Sequence, residues 1–440
     1  MIFKMSLRNC HKKRCINSAA PSPGSPRDAR GSASPPTITA KMTDEPPPPI
    51  VIADPALLAL PPLADGEVVR DSGDRACVKP EAPCPVMFGA MHKLLGHKDV
   101  RGRGSHVPAV THCDPFVLCD AIRLPKGARP PFCAHPHSGV GVMTLLFQCA
   151  GGMRPWDNLN GPEAAPLLPG GVYHVDTGAG CVHDEPMDPL AASLPTMRAN
   201  FDGGAPAPAA SPGAHAWLMQ LWYNAMAMDG ASDAPLRPPS TRVRDPADVA
   251  VVAQDDGLRA RVLAGAYRDA ADGLRAAHPL VVLHVEVAKA GTLGPLPAGH
   301  NGFLWVLDGR LGAGDVELEF GAEGLCLLPP GGTALRLRNL GDAPAQALVA
   351  LGAPHRRPYA KYVGYGGGFV HRDAAGVEAA MAEYERDPRS YGRAAAGATR
   401  AVDTSHLELV GGFQDNGGPM LERPDGVVAR FKNRGSSTEA

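Results

Sequence analysis

Hydrophobic and polar residues alternate with a period of two along much of the chain from about residue 80 onward. The stretches 281–287, 315–320 and 335–338 show this most clearly, and in 315–320 every second residue is acidic. Side chains two apart on a strand point to the same side, so the pattern predicts strands with one face on the core and a wetter opposite face. In 281–287 the wetter face carries His284 and Glu286.

Glycine-rich turns separate these runs, and the predicted strands fall into two clusters, at about residues 85–225 and 248–365. Many short strands with regular turns are typical of sandwiches and barrels. The segment 225–248 is rich in Pro, Asp and Ser, and we interpret it as a connector. Because both clusters share the order strands, turn, strands, we predict an all-β protein built from a duplicated β-barrel.

One helix is predicted late in the chain. Asp373 is suited to cap its first turn and Pro388 lies just beyond its end. Between them runs an apolar stripe, formed by Val377, Ala380, Met381 and Tyr384. We expect this helix to pack on a barrel, and we expect residues 393–440 to be loosely organised.

The first 50 residues differ from the rest. Residues 1–41 hold eight Lys and Arg against one acid, Asp28. Three interpretations stay open: an organelle transit peptide, a disordered tail, or a mis-assigned start with Met42 as the initiator. The run 46–49 is all proline and predicts a stiff, extended spacer.

Composition narrows the class of protein. A length of 440 residues suggests two or three domains, and a net charge of −2 argues against a chain-wide surface for nucleic acid. The longest apolar runs fall short of the roughly 18 residues of a membrane span, so no membrane association is expected. Ten cysteines without a C-x-x-C pair indicate mostly reduced thiols and an intracellular location.

Two residue pairs in the first cluster have the spacing of metal ligands. His135 and His137 are two apart, as are His183 and Glu185, so the members of each pair face the same side of a strand. The 45 residues between the pairs suffice for several short strands, which allows the two pairs to meet inside one barrel.

Three imidazoles and one carboxylate form a good site for a divalent transition metal, and iron, manganese, copper, nickel and zinc all stay open. Either pair alone is weak, since H-x-H occurs by chance on strand surfaces. The second cluster contains one H-x-E, His284 and Glu286, with no histidine pair beside it. We interpret that pair as structural or surface residues.

Four stretches together resemble the signatures of the pirin family, and they occur in the family's order. They are Asp114–Asp120 (DPFVLCD), Phe132–Gly139 (FCAHPHSG), Gly171–Pro186 (GVYHVDTGAGCVHDEP) and Gln220–Asn224 (QLWYN). The resemblance covers about residues 85–390.

The resemblance implies a bicupin, an all-β fold with two cupin-type antiparallel β-barrels and a few short helices. It implies a metal in the N-terminal barrel only, held by His135, His137, His183 and Glu185. The domains are then a disordered or transit-like segment 1–50, a metal-holding barrel 51–235, a barrel without metal 236–370, and a helix with a loose tail 371–440.

The chain departs from the family pattern near the motifs. Ser138 stands where the family has Arg, Gly141 where it has Glu, and Asp176 where it has Thr. None of these is an implied ligand, but each changes charge or hydrogen bonding, and Asp176 lies either near the site or on the surface. Cys133 and Cys181 precede ligands by two residues and are interpreted as small buried core residues, with oxidation-sensitive thiols as the alternative.

For function, the resemblance implies an Fe(II)-dependent oxygenase of the quercetin 2,3-dioxygenase type, with Glu185 as general base. Its reactants would be a flavonol or related phenol and O2. The alternative is a non-enzymatic redox-sensing transcription cofactor whose iron state controls binding of a regulatory protein. A third possibility is another cupin oxygenase acting on a small phenol or thiol.

The remaining expectations are coarser. The resemblance implies a monomer, without direct nucleic-acid binding. Within the cell, the cytoplasm, the nucleus and an organelle (plastid or mitochondrion) stay open as locations.

Overall fold

In the computed structural model, strands make up most of the regular structure. The residues that it describes are 73–79, 86–88, 91–95, 113–125, 134–148, 152–162, 166–185, 201, 215–226, 236–254, 257–271, 274, 276–320, 324–357, 359–364, 367–399, 401–402, 420–422 and 428–430. The expectations for residues 1–50 and for Cys133 lie outside these residues.

The strands of the first half are β1 Val86–Phe88, β2 Met91–Leu95, β3 Phe116–Pro125, β4 His135–Ser138, β5 Val140–Gln148, β6 Trp156–Asp157, β7 Gly161–Pro162, β8 Val172–Asp176, β9 Cys181–Asp184, β10 His215–Asn224 and β11 Ser240–Arg244. A short 3-10 helix, Pro246–Asp248, follows.

The strands of the second half are β12 Val251–Gln254, β13 Leu258–Ala264, β14 Ala266–Tyr267, β15 Ala270–Ala271, β16 Leu280–Val287, β17 Ala290–Leu293, β18 Asn301–Asp308, β19 Arg310–Ala313, β20 Val316–Glu319, β21 Leu325–Leu328, β22 Leu335–Asn339 and β23 Ala345–Gly352. The last elements are β24 Tyr359–Gly364, β25 Gly367–His371, α1 Ala374–Arg386, β26 Met420–Glu422 and β27 Val428–Arg430.

Two pairs of sheets enclose two separate cores. Sheet I has the order β1-β2-β3-β10-β5-β8-β11, and sheet II has the order β27-β26-β24-β25-β4-β9-β6-β7. Both contribute to one apolar core, for example through Val142 of sheet I and Val370 of sheet II. Sheet III (β12-β13-β16-β23-β18-β21) and sheet IV (β17-β22-β19-β20) enclose the other.

The prediction of an all-β fold is therefore confirmed. The described strands of each half form open sheets that pack face to face. Facing sheets bury one side of each strand without the tilt and stagger that closure requires. Among the described residues, no helix is long and apolar enough to cross a membrane.

The two halves meet through the outer faces of sheets I and III. Trp217 of β10 contacts Trp305 of β18, with ring centroids 5.6 Å apart. The same packing covers β16, which is buried along its whole length. The expectation of a solvent-exposed face on β16 is therefore wrong. On β22 the predicted alternation is confirmed, since Leu335 and Leu337 are buried and the arginines between and after them are exposed.

Strand pairing carries the end of the chain back to the first half. β25 pairs in parallel with β4, so that Gly368 lies opposite His137. β24 pairs with β25 and with β26, which extends sheet II. Similarly, β11, within the segment interpreted as a connector, pairs with β8 of sheet I.

The predicted late helix is confirmed as α1. The Asp373 carboxylate accepts a hydrogen bond from the Gly376 amide at 2.8 Å, which satisfies one of the open N–H groups at the helix start. Val377, Ala380 and Tyr384 are buried on the outer face of sheet II, as expected for a helix that packs on the sheet.

Candidate metal centre

Strands β4 and β9 bring the three motif histidines together. They pair antiparallel with His135 opposite His183, so His137 stands two residues further along the same face. The centroids of the three rings are 4.8 Å apart in every pair. His137 and His183 are fully buried and His135 is 7% exposed.

The turns beside these strands are tied to each other. Gly139 has a φ of +70°, and a Cβ there would lie 1.8 Å from the Val370 carbonyl oxygen, so only glycine fits. Its amide donates to the Gly178 carbonyl at 2.9 Å, in the turn before β9. The Thr177 hydroxyl bonds both the amide and the carbonyl of Val140. The two ligand-bearing strands are thus fixed in register from their ends.

The contact of His137 with a backbone carbonyl sets its tautomer. Nδ1 of His137 is 3.3 Å from the Gly368 carbonyl oxygen, which can only accept, so Nδ1 carries the proton and Nε2 keeps its lone pair. That Nε2 lies 3.0 Å from Nε2 of His183. Burial, with the neighbouring imidazoles, holds the pKa of His137 and of His183 well below the usual value, so both are neutral.

This donor set fits a divalent transition metal. One nitrogen from each of His135, His137 and His183 lies within 4.8 Å of the other two. Neutral imidazoles at such separations are the commonest ligands of these ions. The three histidines could therefore hold a metal ion, as the sequence predicts.

Glu185 follows His183 by two residues and is buried. Its carboxylate accepts hydrogen bonds from two side chains of sheet I. The Thr144 hydroxyl of β5 and the Gln220 amide of β10 each donate to one of its two oxygens. Burial raises the pKa of Glu185 to about 7, and these two bonds act in the opposite direction. Among the described residues, the cluster of ligand atoms within 4.8 Å contains the three histidines and not Glu185. Its role as fourth ligand stays a prediction.

Thr144 and Gln220 belong to a row of polar residues across sheet I. Gln220 lies opposite Asp120 of β3 and Thr144 of β5, and Thr144 lies opposite Tyr173 of β8. None of these residues is a predicted ligand or general base. A usable signal for Thr144 was present, because it is the one polar side chain in the apolar stretch 140–147.

Aromatic rings line the histidine cluster. Trp222 meets His137 edge to face, with centroids 4.7 Å apart. The ring of Tyr173 is stacked with that of His183, and their centroids are 6.1 Å apart. These rings, on β10 and β8, give the site a flat apolar wall beside its imidazoles.

The departures from the family pattern have local structural explanations. Gly141 lies opposite Tyr223, and a Cβ at Gly141 would lie 1.9 Å from the tyrosine ring. Tyr223 itself stands where the family motif has Val, so the two departures fit each other. Ser138 bonds Nε2 of His371 at 3.0 Å. Because strand neighbours alternate, the Ser138 side chain leaves sheet II on the face opposite the histidines.

Asp176 and Cys181 are both buried. On β8, Tyr173 and Val175 enter the core of the first half, so Asp176 points to the other face of sheet I, away from the histidines. Burial raises its pKa to about 6. Cys181 packs in the apolar core, and burial raises its pKa well above the usual value, which agrees with a structural residue.

The H-x-E pair of the second half lies at the contact between the halves. His284 bonds Gln346 at 2.9 Å and packs on the ring of Phe147 at 5.1 Å. Glu286 pairs with Arg259 at 2.5 Å. Both are structural, and the part of the chain that the structure describes contains no second cluster of three metal-ligating groups.

The chain is similar to solved proteins in its structure but matches no curated sequence. No family model matches the chain, and no curated protein sequence matches it. A solved quercetin 2,3-dioxygenase from Acinetobacter baumannii is similar in structure, with 21% identity, a TM-score of 0.53, and 73% of this chain and 99% of that one covered. The chain has a cupin-type bicupin fold.

The bacterial pirin YhhW from Escherichia coli, solved in complex with nickel(II), is also similar. It shows 14% identity and a TM-score of 0.41, with 63% of this bicupin and 99% of YhhW covered. The bicupin fold that the resemblance implies is confirmed by the similarity to the solved quercetin 2,3-dioxygenase. At such identities the likeness transfers no activity, metal or substrate to this bicupin.

Proposed function

We propose that this bicupin is an Fe(II)-dependent oxygenase of the quercetin 2,3-dioxygenase type, which opens a flavonol ring with O2. The observation that carries the proposal is the convergence of three imidazoles beside aromatic rings, in the half that also holds a buried carboxylate. The similar protein from Acinetobacter baumannii is named for this activity, which supports the same substrate class.

The residues present suit iron. His135, His137 and His183 would hold the ion, and three imidazoles with a carboxylate are compatible with Fe(II). When bound, the ion would supply the acidity that favours a flavonolate and the redox chemistry with O2.

The protein's own groups would bind and deprotonate the substrate. Trp222 and Tyr173 flank His137 and His183, and these buried rings would shield the histidines from water and give the site an apolar side suited to an aromatic substrate. Glu185 would accept the proton of the 3-hydroxyl group at a carboxylate oxygen. Thr144 and Gln220 hold that carboxylate in one orientation, so the acceptor needs no rearrangement.

The decisive experiment is oxygen uptake by the full chain after anaerobic loading with Fe(II), on addition of quercetin. We expect quercetin-dependent uptake that is lost in His135→Ala. The matched control is His300→Ala, a half-buried histidine of the second half, which should retain it. No uptake, with iron confirmed in the protein, would refute the proposal and favour the redox-regulatory function that the family resemblance implies.

A second variant tests the general base. Glu185→Gln keeps the shape of the side chain but cannot take a proton. It retains one acceptor oxygen for the Gln220 amide, and its NH2 group can donate to the Thr144 hydroxyl, which can also accept. We expect it to retain much of the iron while turnover falls by about 10²–10⁴-fold, the usual contribution of general-base catalysis. Turnover equal to that of the unmodified protein would remove Glu185 as the base.

A further inference from the structure

The segment 73–79, which precedes β1, is bonded along its length to the second half. The Arg75 amide donates to the Ala334 carbonyl at 2.6 Å. Val78 and Leu327 exchange two backbone hydrogen bonds, at 3.0 and 2.8 Å. Asp74 forms an ion pair with Arg336. The segment is therefore held at several points against β21 and β22.

The side chain of Arg75 fixes the middle of this segment. It is 3% exposed, and its guanidinium donates to the carbonyl oxygens of His300 and Pro329 at 2.8 Å and of Pro297 at 2.5 Å. A planar group that binds three carbonyls allows little sliding of the chain. Cys77, two residues later, is therefore kept in one place relative to β21.

Cys77 faces a cysteine of β21. Its Sγ lies 3.0 Å from Sγ of Cys326, about 1 Å beyond the length of a disulfide bond. Cys77 is half-buried, whereas Cys326 is fully buried in the core between sheets III and IV. One thiol of the pair can thus be reached from solvent and the other can be reached only through its partner.

We propose that Cys77 and Cys326 form a reversible disulfide, which makes the pair a thiol-oxidation site that responds to small-molecule disulfides. The segment 73–79 then becomes covalently joined to β21. Cytosolic disulfides of this kind are transient and regulatory, whereas most thiols of an intracellular protein stay reduced.

The chemistry proceeds by two exchange steps. Cys77 Sγ, as the thiolate, attacks one sulfur of the small disulfide, which forms a mixed disulfide and releases one small thiol. Cys326 Sγ, after loss of its proton, then attacks the Cys77 sulfur and releases the second small thiol. One protein S–S bond forms, two protein thiols are oxidised, and the small disulfide is reduced to two thiols.

The order of the steps follows from access and acidity. The thiolate is the reacting form, and the contact with Cys77 together with burial raises the pKa of Cys326 well above the usual value. Cys326 therefore reacts slowly with disulfides in solution. Its attack on the Cys77 sulfur requires the short Sγ–Sγ distance that the hydrogen bonds of Arg75 maintain.

The test is differential alkylation of the full chain after equilibration in glutathione buffers of increasing oxidised fraction, followed by peptide mass spectrometry. We expect one linked peptide pair, Cys77 with Cys326, lighter by two hydrogens than the separate peptides. Its amount should rise with the oxidised fraction and vanish on reduction. Cys77→Ser should abolish it, and Cys113→Ser, in a buried cysteine near Cys326, should leave it unchanged.

Three outcomes would overturn the proposal. One is Cys77 carrying only glutathione at the highest oxidised fraction, and another is Cys326 linked to Cys113 or to any other cysteine. The third is free thiols at both positions throughout. Because the unmodified chain gives the primary result, a variant that fails to fold leaves the test intact.

Discussion

Replacing Lys361 by Met should make the stability of the protein less dependent on pH. Lys361 of β24 is 1% exposed and lies opposite Val370 of β25, on the face of sheet II that enters the core of the first half. Burial without bulk water disfavours the ammonium form and lowers the pKa of the side chain to about 7, from 10.5.

The magnitude follows from proton linkage. Between about pH 7 and pH 10.5 the unfolded chain carries the proton and the folded chain does not, so the free energy of unfolding rises by about 1.4 kcal/mol per pH unit. The free energy of unfolding is therefore highest above about pH 10.5, the pKa of this lysine in the unfolded chain. It declines as the pH falls towards 7, the pKa in the folded chain, and is constant at still lower pH. Over about 1.5 pH units the effect is about 2 kcal/mol.

The assay is denaturant unfolding of the unmodified chain and of Lys361→Met at about pH 7 and about pH 8.5. We expect Lys361→Met to be more stable at the lower pH, and its advantage to shrink by about 2 kcal/mol at the higher pH. Lys289→Met, in an exposed lysine, is the matched control and should show no such change. An advantage of the same size at both pH values would refute the reasoning, since no proton would then be released on folding.

Three further predictions concern packing, the carboxylate and the helix cap. Gly141→Ala should destabilise the fold by about 1–3 kcal/mol in thermal or denaturant unfolding, because its Cβ would overlap the Tyr223 ring, and the same substitution should cost much less in a Tyr223→Val background, which lacks the ring. Thr144→Val and Gln220→Leu should each weaken metal binding by about 10–100-fold in competition with a chelator, since each removes a hydrogen bond that orients the Glu185 carboxylate; unchanged affinity would show that this carboxylate does not contribute to binding. Asp373→Ala should cost about 0.5–2 kcal/mol through loss of the N-cap of α1, whereas Asp373→Asn should cost little.

Local spacing was sufficient to find the three histidines that cluster in the structure. His135 and His137 share a face because any strand places residues two apart on one side, and the same holds for the β9 residues. The helix α1 was also predictable, since its cap and apolar stripe are encoded within about 15 contiguous residues.

Residues whose roles depend on partners distant in sequence were not predictable. The contacts of Glu185 with Thr144 and Gln220 span 41 and 35 residues and require the register of β5 and β10. The polar face of β16 was expected to be exposed to solvent, since it carries His284 and Glu286. It is buried because the two halves pack against each other there, which the sequence of the strand does not reveal. Nothing within 281–287 encodes the Phe147 and Phe201 rings that cover His284.

The parallel pairing of β25 with β4 has a consequence for biosynthesis. The carbonyl that orients His137 belongs to Gly368, more than two hundred residues later in the chain. A nascent chain that ends before this point contains all three histidines, but it lacks the acceptor that sets the tautomer of one of them. The arrangement around the three histidines is therefore complete only after Gly368 has been synthesised and β25 has paired with β4.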